Sequence, residues 1–370
     1  MTHADAPAPP PVRWDLIAIL PTGEPIVDLR GASSRRATFR LTEPSGIDWK
    51  MDGLDPAAAA VDELATDVLV YRNGEKLLRA RAGATGDTLG NDAHDVDFAA
   101  LDYRALIGRR TIWPGSTAVF TATEQAAIAW ELIADTQALT GGDAGVTRGF
   151  GQVTGISRDR TYEVGKKLGE ALDQLARVDG GFDWEIDPEL AFNVHYPARG
   201  TFKDFVAHYG ATVSAVKRQV DPSEYANAIR HSGADGGPTP VTRTVADLAT
   251  RREGRWEQQV GDTDVTVAST LDEKADWLLS ESSVIRPSYT ATLAPGVWAG
   301  PSTLWLGDTC RLVVRSGRLD VNTTARVFEI SVTIGDDGGE TVEVTFDRPR
   351  SSFIRRASRD AARIDQLERR

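Results

Sequence analysis

From Phe328 to Phe346 apolar and polar residues alternate with a period of two, the pattern of strands that bury one face. Phe328, Ile330, Val332 and Ile334 fall on one side, with Glu329, Ser331 and Thr333 on the other. After Gly335-Asp336-Asp337-Gly338-Gly339 the alternation resumes through Val342, Val344 and Phe346. Residues at this break tolerate positive φ, so the spacing predicts a hairpin. Upstream, Cys310, Leu312 and Val314 keep the same period, and Ser316-Gly317 supplies another turn. The prediction is a meander over 303–349 whose apolar face needs a closed barrel or a partner sheet to cover it.

The first third of the chain reads similarly. Strands are predicted at Trp14 to Leu20, Ile26 to Leu29, Thr38 to Leu41 and Ile47 to Met51, the last two separated by Glu43-Pro44-Ser45-Gly46. Val68 to Tyr71 and Leu77 to Arg81 flank Asn73-Gly74, a strong hairpin signal. Val96, Phe98 and Ala100 alternate, and Asp102 to Ile107 predicts one or two helical turns ending at Gly108.

At Thr121 the period changes to that of a helix, with Ala126, Ala127, Trp130, Ile133 and Ala134 recurring at three and four residues. Thr123 is the expected cap and Gly141-Gly142 the stop. A second helix carries Leu168, Leu172 and Leu175 on one face, and Phe182 to Asp187 with Leu190 to Tyr196 forms a hairpin. Strands resume after Asp221-Pro222, interrupted by a Gly/Pro-rich loop at 234–240 and a short helix from Asp272 to Glu281. The expected class is α+β, mostly β: a flexible arm at 1–11, a β-barrel-like module at 12–115, an α+β insert at 116–225, a related β-barrel-like module at 226–349 and a helix at 350–370. In that last segment seven arginines stand against Asp360, Asp365 and Glu368, giving a net charge of +4. Ile354, Ala357, Ala361 and Ile364 follow a four-three rhythm there, so one face could join a trimer or partner helix.

Composition narrows the function. The net charge of −12 over 370 residues argues against duplex nucleic acid as the main partner, because phosphate affinity needs clustered Lys and Arg. The Pro-rich start from Met1 to Pro11 lacks the apolar core of a signal peptide, and no apolar run reaches the ~18 residues of a membrane span. Cys310, the single cysteine, is expected to pack in a core. Asp183, Glu185 and Asp187 share one face of a predicted strand. Convergent carboxylates can serve acid–base chemistry or bind a metal, and they also occur as a solvated strand face. The five histidines are scattered outside any zinc-ligand spacing, and neither a phosphate-binding glycine motif nor a serine elbow is present, so no cofactor is expected.

Order and local phrases then add a resemblance. Asp-Tyr-Arg-Ala-Leu-Ile-Gly-Arg-Arg at 102–110, Phe-Asp-Trp-Glu-Ile-Asp at 182–187, Asn227-Ala228-Ile229-Arg230, Leu306-Gly307-Asp308 and the strand-turn-strand at 326–347 are similar to those of tail hub proteins of tailed bacteriophages, the minor tail proteins of siphoviruses. The resemblance spans roughly 12–349. It implies a structural protein of the virion's distal tail tip, made in the host cytoplasm and without enzymatic activity. It also implies a homotrimer whose two related barrels imitate sixfold symmetry. The implied neighbours are a distal tail protein or tail tube ring, the C-terminus of the tape measure protein and a downstream fibre or minor tail protein. DNA would pass through the lumen without specific binding. Larger members carry a C-terminal lysin domain, for which this chain has only the segment from Ser351 onward. A cell-wall hydrolase using Asp183 and Glu185, or a carbohydrate-binding adhesin, is the alternative.

Overall fold

The computed structural model describes residues 12–346 except 92, 114–118, 150–152, 179, 224, 234–235, 262–267, 286 and 337. The expected arm at 1–11 and the basic helix at 350–370, with Ile354, Ala357, Ala361 and Ile364, lie outside the described residues. The chain divides into two compact units, one of 1–217 with 290–346 and the other of 218–289 with 347–370.

The first unit starts with seven strands: β1 (Trp14–Ile19), β2 (Pro25–Asp28), β3 (Ser33–Arg40), β4 (Gly46–Asp52), β5 (Asp67–Arg72), β6 (Glu75–Leu89) and β7 (His94–Asp102). The Asn73-Gly74 turn between β5 and β6 forms as predicted: both residues take positive φ, 50° and 82°, the conformation a two-residue hairpin needs. Alternation along β4 and β7 sends Trp49 and Phe98 inward, where their rings stack with centroids 5.0 Å apart. Asp102 then turns the chain into α1 (Tyr103–Gly108), accepting a hydrogen bond from the Ala105 N–H at the helix start.

The predicted helices and hairpin follow. The strands β8 (Val119–Glu124), β9 (Thr147–Arg148), β10 (Ser157–Thr161), β11 (Asp183–Ile186) and β12 (Ala191–His195) accompany α2 (Gln125–Gln137) and α3 (Leu168–Ala176). Ile128, Leu132, Leu168, Leu172, Leu175, Trp184 and Phe192 share one buried cluster that also takes in Tyr103 and Ile107 of α1. The cap of α2 is Glu124 rather than Thr123. Its carboxylate accepts from the Ala127 N–H at 2.9 Å, and also from the N–H and hydroxyl of Thr154.

Two strands unforeseen in the sequence come next, β13 (Phe202–His208) and β14 (Val213–Gln219). The second unit contains β15 (Ala228–Ser232), β16 (Val241–Thr244), β17 (Glu257–Gly261) and α4 (Ala268–Ser282). Its sheet runs β16-β15-β17, antiparallel on one side of β15 and parallel on the other. Ala226, Ile229, Val260 and Leu278 form its core.

The chain returns to the first unit with β18 (Ser288–Leu293), β19 (Thr309–Ser316), β20 (Leu319–Ile334) and β21 (Glu340–Phe346). The meander is as expected, with Ile330, Val332 and Ile334 almost wholly buried. Its relation to the first third is not. Two separate barrels were expected, but the strands lie in one sheet ordered β14-β18-β21-β20-β3-β4-β7-β6-β5-β1-β2, with β19 and β13 branching from β20, and this path does not close among the described residues. The cause is β20, whose outer half pairs with β19 while its inner half sits between β21 and β3, Ile330 opposite Phe39 and Val332 opposite Ala37. The meander is therefore continued sideways by the amino-terminal strands in a single sheet.

Candidate functional site

Of the carboxylates singled out from the alternation at 182–187, Asp183 and Glu185 share a face of β11 and Asp187 follows its last residue, and each is occupied. Asp183 accepts from the backbone N–H of Arg199 at 2.7 Å and from the guanidinium of Arg326. Glu185 lies 2.6 Å from Arg199 Nη1 and 3.0 Å from His195 Nε2. Asp187 accepts from the N–H groups of Glu189 and Ala191 and from the Asn193 amide, which closes the β11–β12 turn. Arg326 and Arg199 supply to Asp183 and Glu185 the counter-charge that a bound cation would otherwise supply. Among the described residues no group of three His, Cys, Asp or Glu side chains could hold a metal ion.

Beside this face lies a small cleft of about 110 Å³. Phe39, Trp305 and Leu77 form apolar wall, and Arg40, Arg104, Arg199 and Glu185 the polar part. Its arginines are committed as well: Arg40 to Glu329 at 2.8 Å and Arg104 to Asp173 at 3.0 Å, with the Arg104 guanidinium 3.7 Å from the centroid of the Trp184 ring. Arg104 Nη1 also donates to the Trp184 carbonyl at 2.6 Å. Burial pushes the Asp102 carboxyl up to about 6, although the N–H of Ser45, the charge of Arg104 and the N–H of Ala105 pull it down.

Arginine recurs wherever distant segments of the first unit meet. Asp67, fully buried, pairs with Arg79 and Arg81 and accepts from the Tyr103 hydroxyl at 2.7 Å. Arg326 Nε donates to the Gly307 carbonyl, and its Nη2 to the carbonyl of Arg199. At that junction Gly200 (φ 89°) crosses Gly307 so closely that a Cβ on Gly200 would stand 2.2 Å from the Gly307 carbonyl carbon. Asp67 and Arg81 face each other across the predicted Asn73-Gly74 hairpin, whereas the contacts of Arg326 with Asp183, Arg199 and Gly307 follow from no sequence spacing. They tie segments of the first unit to one another, and the three carboxylates of the face proposed for hydrolysis all have partners within it.

Comparison with known proteins bears on the fold. No protein-family model matches the sequence, and no curated protein is similar to it. Solved structures are similar across nearly the whole chain. The prophage MuSo2 43 kDa tail protein from Shewanella oneidensis aligns with a TM-score of 0.67 at 14% identity, covering 91% of this chain and 99% of that one. The tail protein from Neisseria meningitidis MC58 gives 0.65 at 10% identity, covering 92% and 98%. The prophage tail protein gp18 from Listeria monocytogenes EGD-e gives 0.56 at 13% identity, covering 92% and 96%. The chain has the fold of these tail proteins.

Proposed function

We propose that this chain is the structural hub of a tailed-bacteriophage tail tip, a part of the virion that acts by assembly and not by catalysis. The observation that carries the reading is the end-to-end likeness to three tail proteins, in which both this chain and its counterpart are spanned almost completely. Asp183 and Glu185, the carboxylates of the hydrolase alternative, are tied to Arg326, Arg199 and His195, which favours a part in holding the fold.

In this reading the protein is made in the host cytoplasm and works as a homotrimer. The reading gives each copy the two related β-rich modules expected at 12–115 and 226–349, so three copies offer six docking surfaces to a tail tube or distal tail ring. Below, the threefold axis matches a fibre or minor tail protein, which the segment carrying Ile354, Ala357, Ala361 and Ile364 engages. The ring surrounds the channel that DNA traverses, next to the C-terminus of the tape measure protein.

Cryo-electron microscopy of intact particles tests this. The expected result is density for three copies at the distal end of the tail tube. Copies distributed along the tube, or present in a number other than three, overturn the hub assignment.

A further inference from the structure

Two strands of the first unit run past their neighbours. β5 covers β6 only from Glu75 to Arg81, and the Leu64 and Thr66 backbones take Ala82; past an irregularity at Ala82/Thr85, β7 pairs Thr85–Leu89 on one side, and among the described residues no strand pairs Gly83–Leu89 on the other. β20 is flanked on both sides only from Glu329 to Ile334; over Leu319–Arg326 it has β19 and, among the described residues, nothing opposite. An open edge exposes backbone donors and acceptors that invite another strand, and sheets otherwise blunt such edges with proline, very short strands, bulges or charges; here an irregularity at Ala82/Thr85 and the charges of both edges narrow the partners that can add. Neither stretch contains proline, and they are seven and eight residues long.

Their surroundings carry opposite charge. Asp87 and Asp95 flank the first edge, with Asp97 and Glu63 beside them, against Lys50 and His94; Leu89 at the tip is 79% exposed. Arg311, Arg315 and Arg318 surround the second against Asp320, and among the described residues neither Arg315 nor Arg318 is engaged in an ion pair. One chain therefore carries two matched halves of a contact.

We infer that Gly83–Leu89 of one copy adds as a strand to Leu319–Arg326 of the next, with the acidic tip set against the basic one. The occupant is a second copy because the two edges of this one chain match each other in length and carry opposite charge around them. Backbone pairing gives affinity and the charges give direction and register. Such a contact is head-to-tail, and repetition closes a ring when the rotation permits. The number of copies rests on the hub reading above, whereas the contact is tested separately.

Sedimentation velocity and amide hydrogen exchange on the full chain decide it. The wild type is expected to associate more tightly as salt is lowered, and association should protect the amides of both edges. Asp87→Arg with Asp95→Arg, or Arg315→Glu with Arg318→Glu, should weaken association about tenfold or more, and all four changes in one chain should restore it. Wild-type protein that stays monomeric, edges that exchange equally at low and high concentration, or affinity indifferent to both reversals overturns the contact. Trimers indifferent to the reversals would sink the contact alone. Charge-dependent oligomers of another size would sink the three-copy hub alone.

Discussion

Arg72 and Glu340, separated by 268 residues of sequence, form a two-pronged ion pair with both side chains less than a tenth exposed. Arg72 Nε and Nη2 donate to the two carboxylate oxygens at 3.0 and 2.7 Å. Nη2 also reaches the Trp298 carbonyl, the guanidinium lies over the Trp298 ring, and Trp14 Nε1 donates to Glu340. The last residue of β5 is thereby fastened to the first residue of β21.

Removing one partner strands the other charge away from water. Arg72→Ala should cost about 3–5 kcal/mol in chemical denaturation, whereas Arg72→Met with Glu340→Leu should recover most of that loss, because a buried pair is dear to break and cheap to replace. A single variant within about 1 kcal/mol of the wild type would show that the pair carries little weight.

The crossing at Gly200 tolerates no side chain. Gly200→Ala should leave little folded protein, since the added carbon meets backbone that cannot move aside and the positive φ is unfavourable as well. Gly74→Ala is the control: its φ is also positive but nothing lies within 4 Å, so the loss should be about 1 kcal/mol. Equal melting temperatures for the two variants would contradict the crowding.

Two capping carboxylates should respond to pH with opposite sign. Asp102 has a folded value of about 6, above its unfolded 3.8, so its protonated form is the one the fold favours. Its contribution is complete below pH 3.8 and disappears as pH rises through 6, a change of about 3 kcal/mol. Asp102→Asn should flatten that part of the stability profile. Glu124 is held below its ordinary value, despite the opposing pull of burial, by Thr154 and the N–H groups of Ala126 and Ala127, so its contribution is present above pH 4.5 and lost as pH falls through the lowered value. Glu124→Gln should remove that acid-side loss, and unfolding curves from pH 3 to 8 would reveal either failure.

Cys310 is completely buried in β19, and burial pushes its thiol up to about 12. A disulfide reagent at pH 8 should leave it untouched in the folded protein and react promptly once denaturant is added. Rapid labelling under native conditions would mean that β19 opens readily.

What could be read in advance was local. The Asn73-Gly74 hairpin, the Leu168-Leu172-Leu175 helix and the meander through Phe346 were legible because each signal lies within a few adjacent residues. The outer half of β6 was not, since Gly83 to Thr88 has no apolar alternation and is a strand only because β7 pairs with it. β13 was hidden by an inverted pattern, with Phe202 and Val206 facing solvent. The shared sheet depends on β20 meeting β3, a pairing that no spacing announces. The carboxylates of β11 were located correctly, but Arg199 and Arg326 decide their role and are remote in sequence from the motif.

The position of β3 between β4 and β20 also sets a timetable for biosynthesis. Ser33–Arg40 leaves the ribosome nearly three hundred residues ahead of the strand that will flank it, so the nascent amino-terminal half waits with one margin bare. Ribosomes stalled before codon 329 should therefore display chains that are sticky and protease-sensitive around 33–40, a liability relieved when translation reaches the final hairpin.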